Sequence, residues 1–446
     1  MDQIYMKEKP VFPLLMSMAL PMILSMFVNS LYNIVDSIFV AKISEDAMTA
    51  LSLVYPLQNL ITSIGVGFGV GVNAVIAIFL GAQNKEKANK AATQGLFLNI
   101  IHGIILMILG LLFMPSFLRI FTQNEALIHL GLKYSNIVLI FSVVVTSEIT
   151  FEKIFQSVGK MMVTMASLLC GCMINIILDP ILIFGFGPFP VLGIEGAAVA
   201  TVIGQCSTLI IYLIIYVKYP LNVQLSRKYL KPEKDLWIRL YSVGIPATLN
   251  MALPSVLVSA LNGILASFSQ TYIVVLGIYY KLQTFLYMTA NGLVQGMRPL
   301  ISYNYGAREY KRVGKIYRTS LFIILGIMAI GTILCMGIPQ SLMNMFTKNP
   351  KTVQLGIEAL RFISIGFLAS AVSVTSAGAF EALSEGGPSF IVSLLRYVVV
   401  ILPAAYILSR IMGAIGVWNA FWVAEIITAI VSIFLYRNII GRKEKL

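Results

Sequence analysis

The feature that most constrains this sequence is a series of long apolar runs, which are separated by short polar gaps. Each run is at least as long as the roughly 20 residues that an α-helix needs to cross the hydrocarbon core of a bilayer. The runs lie at residues 12–40, 49–79, 91–113, 132–157, 162–184, 193–217, 237–266, 272–302, 316–338, 356–382, 388–411 and 414–436. The sequence therefore predicts an all-α, polytopic membrane protein with twelve transmembrane helices.

Composition and charge indicate the same class of protein. Only 11% of the residues are charged and 58% are hydrophobic, whereas a soluble domain normally carries about a quarter charged residues. The first run is too long for a signal-peptide core and no small-residue cleavage site follows it, so we expect it to remain as a membrane helix. The net charge of +13 does not indicate nucleic acid, because the basic residues lie in the gaps between apolar runs. The expected partner is the lipid bilayer.

The basic residues also predict how the chain is oriented. Of the 32 Lys and Arg residues, 22 fall in one alternating set of gaps or in the run ends beside it, and six fall in or beside the other set. Because cytoplasmic loops carry the excess of positive charge, both termini and the basic linker at 218–239 are predicted to be cytoplasmic. We expect a multi-pass monomer in the plasma membrane.

No pattern typical of an enzyme or of a metal site is found in the sequence. The cysteines lie within apolar runs and form no ligand pattern with the two histidines, so they are expected to be small core residues. They are Cys170, Cys172, Cys206 and Cys335. There is no phosphate-binding Gly-x-x-x-x-Gly-Lys-Ser/Thr loop and no nucleophile with a histidine and an acid. Alternate glycines at residues 65–71 indicate close helix packing rather than a nucleotide site.

The second half of the sequence repeats the first, which predicts two similar lobes. A shift of 225 residues aligns Gly67 with Gly292 and Phe121 with Phe346, and after the fifth run of each half the shift becomes 220. Six helices per half is an even number, so both bundles enter the membrane in the same direction, in parallel, around a central cleft. Such a cleft suits alternating access, although duplication for stability alone would leave the same repeat. The predicted domains are an N-terminal lobe at 1–217, a cytoplasmic linker at 218–236 and a C-terminal lobe at 237–446.

Five polar residues lie within apolar runs of the first half, where an aspartate costs at least about 2.5 to 3.5 kcal/mol on insertion scales. Asn175 and Asp179 are four residues apart in the fifth predicted helix, which places them on one face. Asp36 follows Tyr32 by one turn in the first predicted helix and lies at a similar depth, in the outer half of the membrane. Thr201 lies at a comparable depth in the membrane, in the sixth predicted helix. These five groups are therefore predicted to converge.

The repeat supports a functional role for this polar set. At the equivalent positions the second half carries Leu257, Leu261, Val400, Ala404 and Phe421. Residues that the fold requires should recur in both halves, so one-sided polar residues indicate a site. Two carboxylates in a poorly solvated place favour protonation of one, and carboxylate, amide and hydroxyl oxygens also suit Na+. The residues leave H+ and Na+ open, and only with Na+ would Asp36, Asn175 and Asp179 act as metal ligands.

Other charged residues within the runs are weaker candidates for function. Glu148 and Glu152 lie on one face of the fourth predicted helix, where they suit a proton path or contact with a cationic substrate. A salt bridge of Glu152 with Lys153 or Lys160 is at least as good an interpretation. Further charges within runs of the second half are Lys281, Arg361, Arg396 and Glu425.

Several short motifs together point to one family. They are Ala19-Leu20-Pro21, Gly81-Ala82, Asn175-Ile176-Ile177-Leu178-Asp179-Pro180, Gly193-x-x-Gly196-Ala197-Ala198-x-Ala200-Thr201 and Tyr303-Asn304-Tyr305-Gly306-Ala307. With these motifs and twelve helices in two parallel halves, the chain resembles the MATE (multidrug and toxic compound extrusion) family over essentially its whole length. It is most similar to the prokaryotic DinF-like branch.

The resemblance implies a multidrug efflux antiporter that is driven by H+ or Na+ and needs no other cofactor. Its substrates would be small organic compounds, cationic or amphipathic. The resemblance also makes Asp36, Asn175 and Asp179 the residues that bind the coupling ion, with Tyr32 and Thr201 adjoining them. Other branches carry acids in the seventh helix, which here has none.

Two other classes of transporter share a two-lobe architecture. A lipid-linked oligosaccharide flippase of the same superfamily would be expected to line its cleft with more Arg and Lys, which bind phosphate. A major-facilitator transporter usually carries an Asp-Arg-x-Gly-Arg run after its second helix, where this chain has Gly81-Ala-Gln-Asn-Lys-Glu-Lys87. Antiport of organic compounds is therefore the primary prediction, and the flippase is the alternative.

Overall fold

The computed structural model describes residues 3–444, and every regular element in that range is a helix, which confirms the all-α prediction. The helices are α1 (Tyr5–Glu8), α2 (Val11–Ala41), α3 (Glu45–Gly81), α4 (Lys85–Phe121), α5 (Glu125–Ile140), α6 (Ser142–Ser157), α7 (Met161–Phe184), α8 (Ile194–Lys218), α9 (Lys234–Ala266), α10 (Gln270–Gly306), α11 (Tyr310–Gly337), α12 (Pro339–Asn344), α13 (Pro350–Ser364), α14 (Phe367–Ala382), α15 (Gly386–Leu394), α16 (Ile401–Met412) and α17 (Ala414–Glu444). A 3-10 turn lies at Arg227–Tyr229, and a π-helical turn at Leu395–Val399 joins α15 to α16.

Within the described residues, ten helical segments are long and apolar enough to cross a membrane, and two bent pairs raise the number to twelve if each pair is one span. The pairs are α5 with α6, bent by 49°, and α13 with α14, bent by 54°. Each predicted helix corresponds to one of these spans. The predicted fourth and tenth helices, however, are bent rather than straight.

Both bends lie where small polar side chains compete for backbone hydrogen bonds. Beside the first bend, Ser142 is fully buried, and its hydroxyl donates to the Leu139 carbonyl at 2.7 Å. Beside the second, the Ser364 hydroxyl donates to the Arg361 carbonyl at 3.1 Å, and Gly366 follows. Hydroxyls that bond back to the helix backbone, and nearby glycines, are common causes of helix bending.

The chain divides into two compact units. One contains Leu24–Thr248, and the other contains Ile4–Ile23 together with the chain from Leu249 onward. Both divisions fall inside a helix, in α2 and in α9. The residues before the two divisions, Ile23 and Thr248, are related by the 225-residue shift, so the division follows the sequence repeat. The lobe boundaries at 217 and 237 stay a prediction.

The alternate glycines of α3 allow close packing within the first unit. A methyl group on Gly69 would lie 2.8 Å from the Lys153 side chain of α6. A methyl group on Gly71 would lie 2.5 Å from the Leu240 carbonyl oxygen near the start of α9. The glycines therefore serve helix packing on two neighbouring faces, as the sequence predicts.

The cysteines differ in their surroundings. Cys172 and Cys335 are buried and Cys206 is partly buried, whereas Cys170 is exposed. The expectation that all four are core residues is therefore wrong for Cys170. It lies on the exposed face of α7, where a small apolar side chain is compatible with lipid.

We predict that Gly71→Ala lowers the thermal stability of the detergent-solubilised protein. The added methyl group can be accommodated only if the α9 backbone moves, and overpacking of this kind typically costs about 1–3 kcal/mol. The measurement is the temperature at which half of the protein is lost from the monodisperse peak. Gly326→Ala is the matched control, because a methyl group there meets nothing within 4 Å. Equal midpoints for Gly71→Ala and the wild type would contradict the packing role.

Candidate functional site

The structure brings the five predicted polar residues together in the first unit, on helices α2, α7 and α8. Asp179 is fully buried, and Asn175, Thr201 and Asp36 are 2%, 5% and 8% exposed. Tyr32 is half-buried beside them. Within an apolar helical bundle, this is a concentration of polar groups that packing alone does not require.

The α7 and α8 helices approach closely at this point because glycines face each other. A methyl group on Gly171 of α7 would lie 2.8 Å from the Gly204 carbonyl oxygen of α8, and one on Gly204 would lie 3.1 Å from the Asn175 side chain. The close approach brings Thr201 of α8 to Asn175 of α7. The Asn175 amide donates to the Thr201 hydroxyl at 3.4 Å and to Asp179 Oδ1 at 3.5 Å, both long distances.

The two carboxyl groups are the centre of the site. Those of Asp36 and Asp179 lie within hydrogen-bonding distance of each other. Two ionised carboxylates repel at such a distance, so the arrangement requires a shared proton or a bridging cation. The Tyr32 hydroxyl lies within hydrogen-bonding distance of Thr201 and close to Asp36. Tyr32 and Thr201 therefore flank the carboxyl pair.

Three oxygen atoms of the site are buried and accept no hydrogen bond from any of the residues 3–444. They are Asp36 Oδ1, Asp179 Oδ2 and Asn175 Oδ1. A buried acceptor without a donor is unfavourable, and each of these atoms is a hard oxygen ligand. Among the described residues no group of three or more His, Cys, Asp and Glu side chains could hold a metal ion. The arrangement fits a proton or a monovalent hard cation that the two carboxyl groups and the Asn175 amide oxygen would hold.

Two further residues reach the site that the sequence did not single out. Tyr134 of α5 is 2% exposed and lies within hydrogen-bonding distance of Thr201, and Gln58 of α3 donates to its hydroxyl at 3.3 Å. Gln58 is polar within an apolar run, but the shift of 225 aligns it with Gln283, so the repeat does not mark it as belonging to a one-sided site. Tyr134 lies at the edge of its run, where a tyrosine is ordinary. Their roles follow only from contacts between helices.

The two glutamates of α6 have different surroundings. Glu152 accepts a salt bridge from buried Lys153 at 2.8 Å and a hydrogen bond from Gln156 at 2.5 Å. The alternative of an internal salt bridge with Lys153 is thus confirmed. Glu148 lies one turn earlier and close to Cys172 of α7, which in turn is close to Tyr32. Glu148 is therefore the better placed of the two to extend a polar path toward the carboxyl pair.

The chain is similar in sequence and in fold to known transporters. The MatE family model matches residues 21–181 and 246–407. The multidrug export protein MepA of Staphylococcus aureus (strain MRSA252) is 27% identical over 436 residues, which cover 97% of this chain and 95% of MepA. MepA of Staphylococcus haemolyticus (strain JCSC1435) is 26% identical over 441 residues, which cover 98% and 96%.

A crystal structure of MATE in the bent conformation has the same fold. Its TM-score to this chain is 0.94, over 100% of this chain and 99% of that one, at 23% sequence identity. At this level of identity the likeness shows the fold, and the arguments about the site depend on the residues described above.

We predict that the cation which this site holds stabilises the folded protein against heat. The thermal midpoint of the purified wild type should rise when Na+ replaces an equal concentration of a bulky organic cation, or when the pH is lowered. A ligand at a hundred times its Kd contributes about 2.7 kcal/mol. Asp179→Asn should remove the dependence. Glu195→Gln is the matched control, since Glu195 makes only a half-exposed salt bridge with Lys133 at 3.6 Å. A wild type that responds to neither cation would argue against a cation site.

Tyr134→Phe is expected to weaken binding of the same cation without unfolding the first unit. The substitution removes only the hydroxyl that contacts Thr201 and Gln58, and one such hydrogen bond is worth about 0.5–1.5 kcal/mol. The apparent cation affinity from the thermal titration should therefore fall roughly 2- to 10-fold. Tyr219→Phe, at a residue that is 67% exposed, should change nothing. If the two variants behave alike, Tyr134 has no part in the site.

Proposed function

The chain belongs to the MatE family, whose members are membrane transporters and not enzymes, and we propose that it is a cation-coupled antiporter of organic compounds. It exchanges external H+ or Na+ for small compounds, often cationic or amphipathic, and expels them across the plasma membrane. The export activity named for the relatives MepA of two Staphylococcus species supports the multidrug substrate class. The position of the acids in the first unit supports a place in the DinF-like branch.

The observation that carries the proposal is the buried pair of Asp36 and Asp179, together with three acceptor oxygens of the site to which no described residue donates a hydrogen bond. A proton or Na+ that enters the site removes the repulsion between the carboxyl groups. The cation therefore binds most tightly to the helix arrangement in which Asp36 of α2 and Asp179 of α7 lie together. Binding energy that differs between two arrangements shifts the equilibrium between them, and this shift couples the ion to movement of the substrate.

The direction of transport follows from the proposed orientation. Both termini are cytoplasmic by the distribution of Lys and Arg, so the ion site lies in the outer half of the membrane, where external ions reach it. Alternating access between two parallel lobes, in a monomer, is the mechanism that the sequence repeat favours. Glu148 extends the polar path by which a proton approaches the pair.

The alternative of a lipid-linked oligosaccharide flippase receives no support from the residues described. A pyrophosphate-linked substrate favours several Arg and Lys side chains. A cavity of the second unit, of about 560 Å³, is lined by one arginine, Arg396, and by one acid, Glu425. Counterflow with a cationic dye and with a lipid-linked oligosaccharide, in the same proteoliposomes, separates the two functions.

We predict that Asp36→Asn and Asp179→Asn each reduce the initial rate of cationic-dye efflux at least tenfold. Each variant removes one carboxyl of the pair, so that a cation no longer distinguishes the two helix arrangements. The rate is measured in proteoliposomes on which a pH gradient and an Na+ gradient are imposed separately, which also identifies the coupling ion. Glu195→Gln should transport like the wild type. Unchanged efflux by Asp36→Asn would refute the assignment of the coupling site.

A further inference from the structure

The second unit lacks the five polar residues of the ion site but contains an open-sided cavity of its own. The cavity has a volume of about 560 Å³ and lies between α9, α10, α17 and the segment from the π-helical turn to α16. This size is within the range of small-molecule sites, about 300–1,000 Å³. Four aromatic side chains line it: Tyr280, Tyr287, Tyr397 and Phe421. Neither the coupling site nor its mechanism uses this cavity.

A buried ion pair forms one wall of the cavity. Arg396 is 7% exposed, and its Nε donates to Glu425 Oε1 at 2.7 Å. Its Nη2 lies 2.7 Å from the same oxygen and donates to the Tyr287 hydroxyl at 2.8 Å. Glu425 Oε2 accepts from the Ser373 hydroxyl at 3.3 Å. Glu425, the one acid among the described residues that line the cavity, is thus already bonded on both carboxylate oxygens.

Two hydrogen-bond donors in the cavity wall have no acceptor among the described residues. Arg396 Nε donates to Glu425 and Nη2 donates to the Tyr287 hydroxyl. The third nitrogen, Nη1, has no acceptor among residues 3–444. The Tyr280 hydroxyl is buried and likewise without a partner in the described chain. It belongs to the same wall and lies near Arg396 and Tyr397. Beside the neutral amides Gln283 and Asn291 of the wall, these two groups offer hydrogen-bond donors and a positive charge to a ligand.

The guanidinium is also held in a fixed place by aromatic rings. Its carbon lies 5.2 Å from the ring centres of both Tyr287 and Tyr397. Arg396 itself is in the π-helical turn, a type of helix defect that is frequent at functional sites. Rings that hold the arginine also offer flat apolar surfaces to a ligand.

We propose that this cavity is a binding site for a planar aromatic carboxylate. The carboxylate accepts from Arg396 Nη1 and from the Tyr280 hydroxyl, and the ring packs against Tyr397 and Phe421. An organic cation is disfavoured, because it would approach Arg396 and could reach Glu425 only by breaking the ion pair. A neutral aromatic amide would fill the same space without a negative charge to meet the guanidinium.

The test is equilibrium binding to the full-length protein in lipid nanodiscs, without any ion gradient. Three probes share one ring system and differ in charge: naphthalene-2-carboxylate, naphthalene-2-carboxamide and naphthalen-2-ylmethylammonium. The carboxylate should bind at least tenfold more tightly than the other two. Because no transport is measured, failure here would leave the proposed antiport standing, and failure of antiport would leave this site standing. Equal or tighter binding of the ammonium compound, or no binding of the carboxylate, overturns the proposal.

Two variants locate the carboxylate in the cavity. Tyr280→Phe removes a hydroxyl that has no partner among the residues that the structure describes, so folding should be unaffected, while carboxylate affinity falls at least threefold and carboxamide affinity less. Arg396→Gln with Glu425→Gln removes both charges together, which avoids an unpaired buried charge, and should abolish the preference for the carboxylate. Tyr406→Phe, at a residue 54% exposed, is the matched control. A carboxylate that binds both cavity variants as tightly as the wild type overturns the proposal.

Discussion

The site of the first unit is built on a cluster of buried oxygen acceptors to which no group of residues 3–444 donates a hydrogen bond. Each such group costs about 1–3 kcal/mol when it lacks a hydrogen bond, and a buried unpaired carboxylate costs considerably more. None of the ion pairs among residues 3–444 includes Asp36 or Asp179. A proton or cation from solution is therefore the remaining source of compensation. Because the buried carboxylates are stabilised only when a proton or cation from solution occupies the site, the site is suited to coupling cation binding to a change in the helix arrangement.

Two buried ion pairs of the protein show the opposite arrangement. Lys153 is paired with Glu152 in the first unit, and Arg396 is paired with Glu425 in the second. These pairs carry their counter-ion within the chain, so their charge is balanced whether or not a solution ion is bound. The contrast separates two uses of buried charge in one protein. Asp36 and Asp179 have no such counter-ion among residues 3–444, so the carboxyl pair leaves a net negative charge for a solution cation to neutralise.

Much of the fold and the centre of the site could be predicted from the sequence. The long apolar runs located the spans, and the i, i+4 spacing with matching depths placed Asp36 beside Asp179. The bends at Ser142 and Ser364 could not be predicted, because they depend on hydroxyls that bond within a single turn while the hydropathy of the run is unchanged. Tyr134 could not be predicted either, because its role depends on contact between helices that are distant in sequence.

The repeat also explains why the two units differ in chemistry although they share a fold. The shift that aligns Asn175 with Val400 aligns Gly171 with Arg396, and the later shift aligns Gln205 with Glu425. In the first unit a glycine at this position lets α7 close on α8, which brings Asn175 to Thr201. In the second unit the same position carries a guanidinium, whose buried charge is paired with the Glu425 carboxylate of α17. One substitution pattern thus fits a tight site for a small cation in one half and a cavity in the other.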